Sequence, residues 1–187
     1  MIVEPVDDSQ RLFSIIDVVP DELVTAITSL DWDTIPWRRG NGQETWSRRE
    51  LIVDAIPALV EYNNLILESK AQLEDIAKVK FEGHPFTMWW YDEPSFTVSL
   101  HTDGHLPSSL QVFWESDGTD YGTAFYEYKD PETVNKQFEF IPNTGYMMLN
   151  GLDDDGSQPL QWHGMLNPVL TRRICSYSQF GTYKLVK

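Results

Sequence analysis

Cysteine is nearly missing from this chain: Cys175 is the only one in 187 residues, which excludes an internal disulfide and a zinc site built on thiolates. Histidine is scarce as well, with His84, His101, His105 and His163 making up the whole set, so a bound metal would have to draw on these and on carboxylates. Positive charge is short. Fourteen Lys and Arg against 29 Asp and Glu leave a formal net charge of −15, a field that repels nucleic-acid backbones and anionic membranes. The expected partner is therefore a small molecule or a peptide, with nucleic acid and membrane disfavoured. No apolar run approaches the roughly 20 residues a helix needs to cross a bilayer. The opening Met1-Ile2-Val3-Glu4-Pro5 has neither the basic start nor the apolar block of a signal peptide, and the expectation is a cytoplasmic protein. There is no internal repeat, low-complexity tract or linker, so residues 1–187 are expected to form one domain.

What is present is enough apolar material, 41% of residues, to bury a real core. Arg11 to Val19 is β-branched and aromatic and reads as a first strand. Pro20-Asp21-Glu22 opens a helix, proline early and acids in the first turn, with Leu23, Ile27 and Leu30 as its apolar stripe. Residues 31–49 hold Trp32, Trp37, Trp46 and the arginines 38, 39, 48 and 49, a loop and short strand over a wall of the core. From Ile56 to about Val79, helical spacing of Leu59, Val60, Leu65, Ile66, Leu67, Leu73 and Ile76 predicts one long helix, or two with a break near Glu68 to Lys70. The composition then turns to short β-type segments: Phe86 to Tyr91, Phe96 to Leu100, Ser109 to Glu115, Ala124 to Tyr128, Gln137 to Ile141, Tyr146 to Leu149, Gln161 to His163, Arg173 to Phe180 and Thr182 to Val186. Turn signals such as Asp92-Glu93-Pro94 and Pro142-Asn143-Thr144-Gly145 separate them. The pattern predicts an α+β fold: helical support over about 20–80, packed on one sheet of a β-roll, a double-stranded β-helix or cupin-like jelly roll, over about 86–187.

Within that β-rich part, His101 and Asp103 stand two apart, the spacing that puts side chains on one face of a strand. His163, 60 residues after Asp103, is the candidate for a third ligand from a neighbouring strand. Two imidazoles and a carboxylate are the ligand composition of the facial triad of non-haem Fe(II) oxygenases, which leaves positions open. His105 is a decoy two positions after Asp103, and His84 before Pro85 reads as exposed loop. Asp153-Asp154-Asp155-Gly156 lacks the alternating acids of a calcium loop and reads as a solvated segment or lid, and Trp162 as core or a stacking surface.

The order of these residues resembles the 2-oxoglutarate and Fe(II)-dependent dioxygenases, most closely their prolyl 4-hydroxylase-like branch: H-x-D, about sixty residues, then a His followed nine or ten positions later by Arg. Here these are His101, Asp103, His163 and the pair Arg172 and Arg173. The resemblance covers roughly residues 86–183. It implies that the three ligands hold Fe(II), that 2-oxoglutarate and O2 are consumed, and that a C–H bond of a side chain or small molecule is hydroxylated with release of succinate and CO2. The far carboxylate of 2-oxoglutarate would need the bidentate fork of an arginine. Arg172 and Arg173 alternate in side, so only one can supply it; Pro168, five positions earlier, favours Arg173. Tyr91, ten residues before His101, and Gln111, on the strand after the H-x-D loop, are further candidates for contact with 2-oxoglutarate. Gly122-Thr123-Ala124-Phe125 resembles the family's turn into the next strand. The alternatives are a cupin-like metal-dependent isomerase or hydrolase indifferent to 2-oxoglutarate, and a non-catalytic jelly-roll binding module.

Overall fold

The computed structural model describes residues 1–7, 11–39, 48–51, 55–103, 107–116, 121–127, 130–150 and 161–186. The chain enters through β1 (Ile2–Pro5) and β2 (Leu12–Ile16), paired antiparallel. Pro20, fixed at φ −61°, N-caps α1 (Asp21–Thr28), whose first turn carries Asp21 and Glu22 where acids complement the helix dipole. The short strands β3 (Arg38–Arg39) and β4 (Arg48–Leu51) precede the long helix α2 (Pro57–Ala77), which starts on a proline and stops where Lys78 turns left-handed at φ 54°. Ten strands follow among the described residues: β5 (Val79–Phe81), β6 (Phe86–Asp92), β7 (His101–Thr102), β8 (Ser108–Glu115), β9 (Tyr121–Glu127), β10 (Asp130–Glu139), β11 (Thr144–Met148), β12 (Trp162–Gly164), β13 (Arg173–Gly181) and β14 (Tyr183–Leu185).

They assemble into an eight-stranded sheet in the order β1-β2-β11-β8-β13-β6-β4-β3 and a four-stranded sheet in the order β10-β9-β12-β7; β14 and β5 form a separate pair. This is a double-stranded β-helix with both helices on the outer face of the larger sheet. The two central strands β8 and β13 are buried on both faces, and alternation sorts their side chains. Leu110, Val112, Trp114, Ile174 and Phe180 join the core that Leu23, Ile27, Leu59, Tyr62 and Ile66 build on the helix side. The serines on that face are bonded rather than stranded: Trp114 Nε1 donates to Ser176 Oγ at 3.1 Å, and Ser176 Oγ to Tyr62 OH at 2.7 Å. Phe113 and Cys175 face the other way, into the roll, with Phe125, Phe138, Phe140, Tyr146 and Met148.

Several expectations need correction. Phe96 to Leu100 is not a strand. Ser95 takes φ 72° after Pro94, and the segment bonds irregularly to residues 165–169, through Met165 N to Val98 O at 2.9 Å and Val169 N to Phe96 O at 2.8 Å. Of the two forms expected for residues 56–79 the helix takes the first, running unbroken through Glu68 to Lys70, and β1 and β5 are additional strands. Trp32 and Trp37 pack on the helix-side core; Trp46, His105 and Asp153 to Asp155 lie outside the described residues. No described helix is long and apolar enough to cross a membrane.

One turn fastens the helix layer to the sheet. Asn143, buried at φ 63°, accepts from Val19 N through Oδ1 at 2.9 Å and donates from Nδ2 to Val19 O at 3.0 Å. Asn143→Gly keeps the left-handed backbone but leaves both Val19 groups unpaired, a cost of about 1–3 kcal/mol. Asn143→Ala adds roughly 1–2 kcal/mol for the same backbone with a Cβ. Urea unfolding is expected to rank the proteins native, Asn143→Gly, Asn143→Ala in falling stability.

Candidate metal centre

Strand β12 pairs antiparallel with β7 so that His163 lies directly opposite His101, which sets the two imidazoles side by side with ring centroids 4.3 Å apart. Asp103, one residue past β7, completes the group: its Oδ1 is 3.5 Å from His101 Nε2 and its Oδ2 3.7 Å from His163 Nε2. One donor atom from each residue lies within 4.8 Å of the other two. The Nδ1 atoms point away, His101 to Ser99 O at 2.8 Å and His163 to Gln161 O at 3.3 Å. A carbonyl can only accept, so in the neutral ring Nδ1 carries the proton and the Nε2 lone pair is turned to the common centre. His163 is 6% exposed and stacked on Phe125.

The donor set fits a divalent transition-metal ion. Such an ion sits about 2.0–2.2 Å from imidazole nitrogen and carboxylate oxygen, and the donors need only small side-chain adjustments to close on one. The protonation states suit it as well. Burial holds the His163 imidazole down to about 4, only partly offset by the Asp103 charge, so it is neutral. Burial pushes the Asp103 carboxyl up, but bonding from His101, the positive charge that either histidine carries when protonated and a bond from Asn150 together outweigh it and keep it below the usual range. His101 is raised, chiefly by its bond to Asp103.

The other expected site residues divide between the two faces of the large sheet. Arg173, 2% exposed, points into the roll, where Nε and Nη2 both donate to Asp92 Oδ2 at 3.2 and 2.8 Å. Its guanidinium lies 5.1 Å over the Phe140 ring, and Nη2 is 3.3 Å from Met165 Sδ, two residues past His163. Gln111 also faces the roll, with Nε2 3.1 Å from Cys175 Sγ and Oε1 accepting from Tyr146 OH. Of the remaining two, Arg172 takes the outward place that the preference for Arg173 assigned it, and the Tyr91 expectation is corrected. Arg172 is on the outer side, bonded to Glu115 Oε1 and Asp33 Oδ2, each at 2.7 Å. Tyr91 shares the helix-side face with Trp89; its hydroxyl donates to Asp33 at 3.2 Å and its ring meets Trp37 edge-on. Strand alternation carries both away from the roll interior. Trp162 is partly buried opposite Thr102.

Sequence reading missed Asp92, Tyr146 and Asn150. The signal for Asp92 was the arginine itself, because a buried guanidinium requires a carboxylate, and Asp92 had the look of a turn residue before Pro94. The Asn150 carboxamide, which reaches Asp103 Oδ2 at 3.3 Å, stands at the head of an acidic stretch and gave no signal.

No protein-family model matches the chain, and no curated protein matches it by sequence. Solved structures do match in fold. A Pseudomonas putida prolyl-4-hydroxylase superposes with a TM-score of 0.70 at 13% identity, covering 95% of this chain and 97% of that one. The viral collagen prolyl hydroxylase of Paramecium bursaria Chlorella virus-1, a 2OG complex, gives 0.60 at 14% identity over 92% and 96%. The Arabidopsis thaliana dioxygenase for auxin oxidation 1, in its 2-oxoglutarate complex, gives 0.53 at 15% identity over 87% and 73%. The fold is therefore the double-stranded β-helix of these oxygenases.

Metal affinity should depend on pH through His101 first. Because its proton binds more tightly than in free histidine, affinity begins to fall above pH 6.5 on acidification, by about tenfold per unit for one displaced proton. His163 adds a second proton only near pH 4. Co(II) titrations between pH 8 and 5 are expected to show a slope of one; a slope of two above pH 5 would contradict a neutral His163.

Proposed function

We propose that the chain is an Fe(II) and 2-oxoglutarate-dependent dioxygenase that hydroxylates a C–H bond of a protein side chain or small molecule. The observation that carries this reading is the convergence of His101, Asp103 and His163 within 4.8 Å in a roll whose opposite sheet contributes the buried Arg173. The names of the three similar structures, two prolyl hydroxylases and a dioxygenase, support the same chemistry.

In this reading His101 Nε2, His163 Nε2 and one Asp103 oxygen hold the iron. When bound, iron and 2-oxoglutarate supply oxidative decarboxylation coupled to hydroxylation, with O2 consumed and succinate and CO2 released. The chain's own contribution is placement. Asp92 fixes the Nε and Nη2 edge of Arg173, so the remaining guanidinium edge can take the far carboxylate of the keto acid as a charge-assisted pair. Phe140, stacked under Arg173, and the neighbouring Phe113 and Phe125 exclude water and strengthen that pair. Gln111, its amide oxygen engaged by Tyr146, stands on the same wall as a further polar contact. The ring of Phe125, stacked on His163, keeps that imidazole from turning.

Three variants separate these roles. Asp103→Ala is expected to abolish substrate-linked succinate formation. Arg173→Ala is expected to raise the 2-oxoglutarate requirement about 10- to 100-fold, the loss of roughly 1.5–3 kcal/mol, with iron affinity nearly unchanged. Arg172→Ala, outside the roll, should leave both constants within about twofold. Anaerobic titration with Fe(II) and 2-oxoglutarate tests the reading as a whole: a weak visible charge-transfer band is expected from the chelate. A folded, metal-binding protein without that band would point to the cupin-like isomerase or hydrolase instead.

A further inference from the structure

Asp103 could hold a metal through one oxygen or through both, and the difference decides how many positions stay open for reactants. Its two oxygens are not equivalent. Oδ1 faces His101, whereas Oδ2, besides facing His163, accepts from Asn150 Nδ2 at 3.3 Å. That carboxamide is itself pinned. Nδ2 also donates to Pro107 O at 2.7 Å, and both of its partners can only accept, so a flipped amide would set oxygen against oxygen twice. The Asn150 backbone N donates to Ser108 Oγ at 3.3 Å, and the preceding Leu149 N to Arg11 O at 2.8 Å. A side chain two residues past β11, 8% exposed and tied to the large sheet, thus reaches across to the aspartate that follows β7 of the small one.

We propose that Asn150 is a positioning residue that restricts Asp103 to one-oxygen ligation through Oδ1. With Oδ2 committed to the carboxamide, the carboxylate cannot swing both oxygens onto a cation, and three coordination positions rather than two remain for exchangeable ligands. The inference rests on the metal-centre reading of His101, Asp103 and His163, and uses no property of the keto acid. Outer partners of this kind typically change metal affinity 10- to 100-fold when removed.

The test is Co(II) binding to the full-length protein, followed by the visible d–d bands that report coordination number, in the native chain, Asn150→Ala and the near-isosteric Asn150→Asp. Near-UV circular dichroism and thermal unfolding of the metal-free forms accompany it. The expected result is that the variants fold with midpoints within a few degrees of the native chain and show bands shifted in intensity and wavelength, and that Asn150→Ala binds Co(II) about 10- to 100-fold more weakly. Folded variants with native affinity and native bands overturn the proposal while leaving the metal centre intact. Failure of both variants to fold also overturns it, because Asn150 would then serve the fold first. If the native chain itself binds no Co(II), the metal-centre reading falls with it.

Discussion

The register of β12 against β7 is the constraint on which the rest depends. A slip of one residue would send His163 to the opposite face of the small sheet, and no side-chain adjustment could bring it back to Asp103. Strands of three and two residues have too few ladder bonds to hold that register alone. It is held from outside. Strand β9 pairs with β12 on its other edge, setting Phe125 opposite His163 and Ala124 opposite Gly164. Gly164 passes so close to the approaching chain that a Cβ there would lie 3.0 Å from Leu100 N, and Met165 N bonds to Val98 O just beyond. The irregular segment before His101, expected as a strand, works as a clamp on both histidines.

The large sheet solves a different problem. Strands β8 and β13 are buried on both faces, which ordinarily demands continuous apolar sequence, yet this pair carries serines, a glutamine, a cysteine and an arginine. The helix layer makes this possible. On its side the serines close a bonded chain with Thr87, Trp114 and Tyr62, and Val19 is latched to Asn143. The roll side is then free to carry Arg173 and Gln111. Gly145 serves the same end: a Cβ there would come within 1.9 Å of Gln111 O, so β11 lies against β8 only because that position has no side chain. Tyr146, next along β11, thereby reaches Gln111.

What could be read from the residues follows the range of the physics. Strand and helix periodicity are local, and they placed α1, α2 and most of the strands. The H-x-D spacing and the distant His163 singled out the residues that the fold gathers into one cluster. Strand alternation alone did not choose between Arg172 and Arg173, since Ile174 and Cys175 are equally apolar neighbours; only the place of Pro168 in the resemblance favoured Arg173. The helices decide it, by taking Ile174 and leaving Cys175 and Arg173 to the roll. Tyr91 failed for the same reason: position along the strand does not say which face the helices will cover. Asp92 and Asn150 reach Arg173 and Asp103 across 81 and 47 residues, and no local pattern marks a residue whose task is to hold another.

Charge inside the roll gives these pieces an order. Arg173 is offset by Asp92, and the histidines must be neutral to ligate, so the described interior groups around the centre sum to the single negative charge of Asp103. Around them lies a chain of net charge −15. A dianionic keto acid entering such a space meets repulsion from both, in a low dielectric where Coulomb terms are large. A divalent cation reverses the sign locally, from one negative charge to one positive. On the proposed function the metal must therefore arrive first, and Arg173 contributes direction more than attraction: with Asp92 beside it, the guanidinium recognises the geometry of a carboxylate without supplying net charge to draw one in.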